Sequence, residues 1–99
     1  MNSNMKAELL SRERHVLDEA LFAEFVVWRL PRSLKGSAHR FKYRLALVAG
    51  GICVLRFDNE TGKGDHLHRG NRQAAYEFVS PEKLIEDFWA EVDKWRQDG

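Results

Sequence analysis

The sequence predicts an α+β fold, in which one C-terminal α-helix packs on an antiparallel β-meander of four to five strands. Residues 40–44 alternate basic and apolar side chains and residues 45–49 are apolar, which is typical of a strand with one buried face. Gly50 and Gly51 follow this run directly, and two successive glycines indicate a tight hairpin. Near the C-terminus, Ser80 followed by Pro81 is a typical helix start, and apolar residues at helical spacing come after it.

Length and composition predict a single globular unit. A chain of 99 residues forms one domain, which we expect to span residues 1–99. Hydrophobic residues make up 43% and charged residues 31%, ordinary values for a soluble globular protein. No run is long and apolar enough to cross a bilayer, and the N-terminus lacks the apolar core of a signal peptide. We therefore expect a cytoplasmic protein with no membrane partner. The single cysteine, Cys53, is expected to be a buried, unreactive thiol.

The first part of the predicted sheet is a hairpin. The apolar residues of segment 6–17 follow no regular spacing. We interpret the segment as a strand because the next segment suits a hairpin partner; a short helix is the alternative. Residues 21–30 carry β-branched and aromatic side chains on both faces, which predicts a strand that is partly covered on each side. Proline, glycine and serine make residues 31–39 a loop.

The strand before the glycine pair has two chemically different faces. One face is apolar and should lie in the core: Phe41, Tyr43, Leu45, Leu47 and Ala49. The other begins with Arg40, Lys42 and Arg44 at a spacing of roughly 6–7 Å, where like charges repel unless an anion lies on them. Residues 52–57 form the returning strand, and the hairpin brings Arg56 near Arg44 if the register keeps both on one face.

The C-terminal third is predicted to be an extended edge followed by the helix. Residues 74–79 are interpreted as a short strand or extended edge. The helix begins at Pro81 and ends at about residue 97. Trp89 and Trp95 lie beside its apolar stripe, so we expect them in the core rather than at a functional site.

Charge is distributed unevenly, although the net charge is only +1. No Asp or Glu occurs between Phe25 and Phe57, a span that holds seven lysines and arginines. The remainder has nine lysines and arginines against fifteen acidic residues, a net charge of −6. A basic middle predicts that one face binds an anion or a polyanion; a solvated strand that merely carries arginines is the alternative.

Residues 58–70, DNETGKGDHLHRG, concentrate the reactive side chains of the chain. Three of the seven glycines lie here, and glycine marks backbone that needs a positive φ or approaches another group closely. The same stretch holds side chains that move protons, bind phosphate or ligate metals: Lys63, Asp65, His66, His68 and Arg69. If the chain has an active site, we therefore predict that it is centred on this stretch, interpreted as a loop; a solvated hairpin tip is the alternative.

This set of residues suits the cleavage of RNA without a metal or another cofactor. Such cleavage needs a base for the 2′-hydroxyl, an acid for the leaving 5′-oxygen and cations for the phosphate. His66 and His68 are assigned as base and acid in either order, Lys63 and Arg44 as phosphate ligands, and Asp65 as the group that orients a histidine. The remaining nucleic-acid contacts are assigned to Arg40, Lys42, Arg56 and Arg69 along the backbone and to Tyr43 and Tyr76 on the bases.

Two other interpretations of these residues stay open. Asp65, His66 and His68 could ligate a divalent ion. The histidine pair, however, lacks a firm third ligand, and Lys63 and Arg69 beside it make a cation less favourable. Alternatively, the domain is a non-catalytic module that holds nucleic acid or protein on its basic face. Lys63 between two glycines is typical of a phosphate loop, but the Walker spacing and the following helix are missing, so a nucleoside triphosphatase is not expected.

Several motifs together resemble the TumE family of prokaryotic toxin–antitoxin proteins. They are the Tyr43-Arg44 strand, the run from Arg56 to Asn59, the GKGDHLH stretch of residues 62–68, and Tyr76-Glu77-Phe78 before a helix. The resemblance covers most of the chain, from about residue 6 to residue 95. It implies the toxin of a type II system, encoded beside a helix-turn-helix antitoxin that neutralises it.

The resemblance indicates where the family motif lies in this chain, and it assigns no catalytic role to any residue. Lys63, Asp65, His66 and His68 match the motif. The first turn, Asp18-Glu19-Ala20, departs from the glycine-containing hairpin that the family predicts. Combined with the residue chemistry, the resemblance predicts a toxin that acts on RNA as a ribonuclease, with an acidic antitoxin segment over residues 40–44. Whether the active form is a homodimer stays open.

Overall fold

A computed structural model describes residues 6–98 of the chain. Within these residues it contains one sheet of six strands and one helix. The strands are β1 (Glu8–Asp18), β2 (Leu21–Arg29), β3 (Phe41–Ala49), β4 (Ile52–Glu60), β5 (Gly64–Arg69) and β6 (Arg72–Ala75), and the helix is α1 (Pro81–Asp98).

The strands follow one another across the sheet in chain order, and each is antiparallel to its neighbours. The predicted α+β meander with one C-terminal helix is therefore confirmed, and the strand count is higher than the predicted four to five. The difference lies in residues 58–70, which are not one loop. Their first residues extend β4, a turn over residues 61–63 reverses the chain, and β5 begins at Gly64.

The first turn reverses the chain without a glycine. β1 ends at Asp18 and β2 begins at Leu21, so only Glu19 and Ala20 connect them. The backbone N–H of Glu19 donates to the Asp18 carboxylate at 2.8 Å, and the β1–β2 register shifts between Val16 and Asp18. A β-bulge and a local aspartate acceptor thus explain how this turn forms with residues other than glycine.

The long loop between β2 and β3 contacts the β4–β5 turn. The backbone N–H of Gly62 donates to the carbonyl of Lys35 at 2.6 Å. Gly36 has a φ of 86°, and a Cβ at this position would lie 3.2 Å from Cα of Gly62. This close backbone approach requires a glycine, and it fixes the loop beside the strands that carry residues 58–70.

Helix α1 covers one face of the sheet. It buries Leu84, Phe88 and Val92 against the strands. The Phe88 ring meets Phe25 and Phe57 nearly edge-on, at centroid distances of 5.6 and 5.9 Å. Edge-to-face contacts of this kind add to the hydrophobic gain, so truncating one of these rings to alanine should cost roughly 3–5 kcal/mol.

The helix begins where the sequence predicts. The Ser80 hydroxyl accepts the backbone N–H of Lys83 at 3.1 Å, as an N-cap does. Trp89 and Trp95 are half-buried and pack against the core, which confirms their predicted structural role. Among residues 6–98, no helix is both long enough and apolar enough to span a membrane.

The two faces of the sheet differ in what lies on them. We call the face against α1 the covered face and the opposite one the open face. Side chains alternate along a strand and directly paired residues share a face, so the register assigns each position. The open face carries, from β2 to β6, the side chains of Val26, Trp28, Lys42, Arg44, Arg56, Asp58, His66, His68 and Gln73.

The cysteine is less buried than predicted. Cys53 is a free, half-buried thiol that pairs with Val48, next to a register shift in the β3–β4 ladder. Its Sγ lies 3.5 Å from the carbonyl oxygen of Leu55, within reach of a weak S–H donor.

Candidate active site

The pairing of β3, β4 and β5 aligns the two histidines with acidic and basic side chains. In one cross-strand row, Arg44 pairs with Asp58, which pairs with His66. In the next row, roughly 7 Å along the strands, Arg56 pairs with His68. All five side chains therefore lie on the open face. The predicted proximity of Arg56 and Arg44 is confirmed, because both lie on this face one row apart.

Asp58 connects the two rows. Its Oδ2 lies 3.0 Å from Nε of Arg56, and its Oδ1 lies 3.6 Å from Nε2 of His68. The Asp58 side chain is only 14% exposed, so solvent screens these charges incompletely. The Arg56 Nε–H is buried and not aligned for a hydrogen bond, so charge rather than a directed bond holds the guanidinium. The ion pair uses Nε, and the terminal nitrogens are the atoms that bind a phosphate in bidentate fashion.

β6 contacts the His66 ring. The ring Nδ1 lies 3.1 Å from the amide nitrogen of Gln73. An amide nitrogen only donates, so Nδ1 is the acceptor in this contact. The ring Nε2 is buried and has no hydrogen-bond partner among the described residues. The ring centroids of His66 and His68 are 6.2 Å apart, a separation that one phosphodiester can span. A substrate reaches His66 through Nδ1 when it displaces the Gln73 amide, because Nε2 is buried.

A shallow pocket beside the two rows has a basic lining. Its volume is about 260 Å³, and its side chains include Lys42, Arg44, Arg56, Asp58 and Glu60. Lys42 and Arg44 are exposed, and neither forms an ion pair within residues 6–98. Their charge is therefore available to an anion that enters this pocket.

Lys63 lies at the end of the site, in the β4–β5 turn. It is exposed, and its Nζ lies 3.1 Å from Oε1 of Glu60. The hydrogen bond from Lys63 lowers the pKa of the Glu60 carboxyl. The ion pair is fully accessible to solvent, so a phosphate can compete for the ammonium group at little cost.

Asp65, which the sequence predicts to orient a histidine, contacts His39 and neither His66 nor His68. It lies on the covered face, where its Oδ1 accepts the Tyr43 hydroxyl at 2.6 Å. The same carboxylate lies 2.9 and 3.2 Å from Nε2 of His39. The physical reason is the alternation of side chains along β5, which places residue 65 opposite residues 66 and 68.

The two tyrosines assigned to base stacking also lie on the covered face. Tyr43 is 3% exposed, and burial, followed by its hydrogen bond to Asp65, raises the pKa of its hydroxyl far above the usual range. Tyr76 is half-buried and donates to the Asp87 carboxylate at 2.6 Å; burial, then this bond, raises its pKa as well. Neither ring is placed to stack on a base at the open face.

Arg69 and Arg40 lie outside the rows. Arg69 binds Glu91 of α1 in bidentate fashion, with distances of 2.8 and 2.7 Å, and so ties the helix to β5 on the covered side. This hydrogen bond lowers the pKa of the Glu91 carboxyl. Arg40 precedes β3, and its carbonyl accepts the backbone N–H of Leu30 at 2.7 Å. Of the four residues predicted to contact the RNA backbone, Arg56 and Lys42 therefore lie nearest to the histidine rows.

Two residues that complete the site were not predicted. Asp58 and Gln73 engage Arg56 and His66, respectively. The alternation in β4 could have placed Asp58 beside Arg56, had the strand been extended past Phe57. Residues 6–98 contain no group of three His, Cys, Asp or Glu side chains that could hold a metal ion. The alternative metal site fails because β5 directs Asp65 and the histidine pair to opposite faces.

The model of the Toxin TumE family matches residues 6–96, which is most of the chain. The chain belongs to this family. The resemblance that the motifs predict is therefore confirmed, and membership of the TumE family makes the chain a toxin component and implies an antitoxin partner. Neither a curated protein nor a solved structure matches the chain.

Proposed function

We propose that this TumE-family toxin is a ribonuclease that cleaves RNA by histidine acid–base chemistry without a metal. The proposal rests on one observation. Four side chains lie on the open face of the interior strands β3, β4 and β5: His66, His68, Arg44 and Arg56. Rigid strands hold these side chains at fixed separations, as acid–base catalysis on a single phosphate requires.

The reaction uses the 2′-hydroxyl of RNA as the nucleophile. One histidine removes its proton while the 2′-oxygen bonds to phosphorus. The bond from phosphorus to the 5′-oxygen breaks, and the other histidine donates a proton to that oxygen. The products are a 2′,3′-cyclic phosphate and a 5′-hydroxyl. Each proton transfer to or from a well-placed side chain typically contributes about 10²- to 10⁴-fold in rate.

The arginines provide the charge that this reaction needs. The phosphorane-like transition state carries more negative charge on its oxygens than the substrate does, and fixed cations bind it more tightly. Arg56 lies on β4, next to the histidine strand, and Arg44 lies one strand further away on β3. Lys42 and Lys63 both lie toward the β4–β5 turn, at one end of this centre. We assign the phosphate contacts to these side chains.

Asp58 takes the positioning role that the sequence assigns to Asp65. Its carboxylate lies within ion-pair distance of both Arg56 and His68, and it is shielded from solvent. Asp58 therefore holds the Arg56 guanidinium beside the histidines by charge and faces Nε2 of His68.

The experiment compares growth and RNA integrity after induced expression of wild-type toxin, His66→Gln and His68→Gln. His15→Gln is the matched control, because His15 lies on β1 against Trp89 and away from the rows. We expect wild type and His15→Gln to arrest growth and fragment RNA, and each site variant to do neither while remaining folded. Cleavage by purified wild-type toxin should persist in excess chelator.

One other outcome would identify the non-catalytic function. The exposed, unpaired Lys42 and Arg44 also suit a module that arrests growth by binding alone. In that case the histidine variants would arrest growth as wild type does, and Lys42→Ala with Arg44→Ala would abolish arrest.

A further inference from the structure

We propose that single-stranded RNA crosses the open face from the histidine rows to β2, where one base stacks on Trp28. This inference rests on the ribonuclease function above and adds to it the path of the strand and a base-binding residue. Tyr43 and Tyr76 lie on the covered face, so stacking on the open face falls to another aromatic side chain.

Trp28 is placed on the open face by its pairing. It lies opposite Leu9 of β1 and Lys42 of β3, and its side chain is half-buried. The guanidinium carbon of Arg12 is 6.0 Å from the indole centroid, at the outer limit of a cation–π contact. Because the contact lies at this limit, a base can displace the arginine from the indole at less cost than from a ring in close contact. An aromatic face beside a lysine is the combination that binds a base and its phosphate together.

The other aromatic ring on this face of β2 is already occupied. Phe22 lies under the guanidinium of Arg14, whose carbon is 4.0 Å from the ring centroid. Arg14 is in turn ion-paired with Glu24 at 3.2 Å. A base would have to displace this arginine to reach Phe22, so Phe22 supplies a matched control for Trp28.

Lys42 and Arg44 on β3 lie between Trp28 and the histidine rows, and Arg12 lies on the other side of Trp28, on β1. These three cations form no ion pair within the part of the chain that the structure describes. Arg12 and Arg44 share one cross-strand row, on either side of β2. At usual strand and row spacings, Trp28 lies roughly 16 Å from His66, so one short oligonucleotide spans both.

The chemistry of this surface favours single-stranded RNA over other anions. Duplex RNA keeps its bases stacked inside the helix and offers only backbone to an indole. An acidic protein segment would pair with the cations, but its carboxylates offer no ring to stack on Trp28. A single strand satisfies both features at once, with phosphates on the cations and a base on the indole.

The test measures binding to a cleavage-inactive full chain, His68→Gln, with an RNA oligonucleotide of about eight nucleotides. Adding Trp28→Ala should weaken binding by roughly 5- to 150-fold, the range for loss of one base–aromatic stack. The salt dependence of binding should stay the same, because phosphate contacts set it. Phe22→Ala should bind as the parent does, and Lys42→Ala should lower the salt slope by about one.

Tryptophan fluorescence gives a second readout that needs no destabilising truncation. Trp28→Phe keeps a stacking ring, so it should retain binding and lose the RNA-induced quenching that the parent shows. Trp89 and Trp95 pack on the covered side and should not respond. Quenching that persists in Trp28→Phe, or equal RNA affinity of Trp28→Ala and the parent, would overturn the proposal.

The outcomes separate this proposal from the ribonuclease function. If Trp28 controls RNA binding but wild-type toxin leaves RNA intact, the stacking site stands and the catalytic function fails. If wild type cleaves RNA and Trp28→Ala binds it normally, only the stacking site fails. Loss of antitoxin binding in Trp28→Ala, with RNA affinity unchanged, would assign this surface to the protein partner instead.

Discussion

Asp65 and His66 are adjacent in the chain, but their side chains lie on opposite faces of the sheet. The Asp65 carboxylate accepts the Tyr43 hydroxyl at 2.6 Å on the covered face. The His66 ring accepts the Gln73 amide at 3.1 Å on the open face. One short motif thus serves two surfaces, and substitutions within it should divide into effects on stability and effects on activity.

Asp65→Ala should destabilise the protein and leave catalysis intact. It removes the acceptor of the Tyr43 hydroxyl and the partner of His39, both largely shielded from solvent. Leaving such groups unpaired costs roughly 1–3 kcal/mol. Urea denaturation should show this loss, while RNA cleavage per folded molecule stays near the wild-type rate. A folded Asp65→Ala protein that no longer cleaves RNA would show that the covered-face cluster takes part in catalysis.

Asp58→Asn should have the opposite effect. Asparagine keeps the shape but loses the charge that holds Arg56 and faces His68. If these groups shift by about an ångström, cleavage should fall by up to roughly 10²-fold. Arg56 and His68 keep 32% and 24% of their side-chain surface exposed, so water can solvate them when the carboxylate charge is lost, and stability should fall less than in Asp65→Ala. Initial cleavage rates of Asp58→Asn and wild type, with circular dichroism as the control for folding, check this prediction; equal rates would remove Asp58 from the site.

The Arg69–Glu91 pair should make stability depend on pH. The hydrogen bond from Arg69 lowers the folded-state pKa of Glu91 below its ordinary value of 4.5. A lowered carboxyl pKa contributes stability above the unfolded value and loses it as pH falls through the folded value. Glu91→Gln should therefore be less stable than wild type near neutrality, by about 1 kcal/mol or less. The two thermal unfolding curves should converge in acid; a gap that persists there would contradict the assignment.

Gly36→Ala should loosen the loop between β2 and β3. Alanine at a φ of 86° is strained, and its Cβ would lie 3.2 Å from Cα of Gly62. Gly51→Ala is the control, because Gly51 has a φ of 80° with no atom within 4 Å of an added Cβ. Backbone strain should lower the free energy of unfolding of both variants by roughly 1–2 kcal/mol, and that of Gly36→Ala should fall further because of the close contact. Equal losses in denaturant titrations would mean that the loop moves away without cost.

The sequence predicts those parts of the fold whose two faces differ chemically. β3 begins with alternating apolar and basic residues, so its core side was predictable, as was the hairpin at Gly50 and Gly51. The N-cap at Ser80 and the apolar stripe predicted α1. β5 was missed because its glycine and its polar side chains on both faces give no alternating hydrophobic pattern.

The site was predictable in its residues and not in its arrangement. His66, His68, Arg44 and Arg56 were all predicted, but their common face depends on the register of two ladders. Register is a tertiary property, since a shift of one residue exchanges the faces. The same limitation explains why the partner of Asp65 was not predicted, since its position within the motif gives no sign that it lies on the covered face beside His39.

The most direct test of histidine-based RNA cleavage compares an RNA substrate with the same sequence made of 2′-deoxyribose. The purified toxin should cut the RNA in excess chelator and leave fragments that end in a 2′,3′-cyclic phosphate, because the 2′-hydroxyl is the nucleophile. The deoxy strand should remain intact, although Arg44 and Lys42 still bind its phosphates. Cleavage of the deoxy strand, or loss of RNA cleavage in chelator, would contradict the mechanism assigned to His66 and His68.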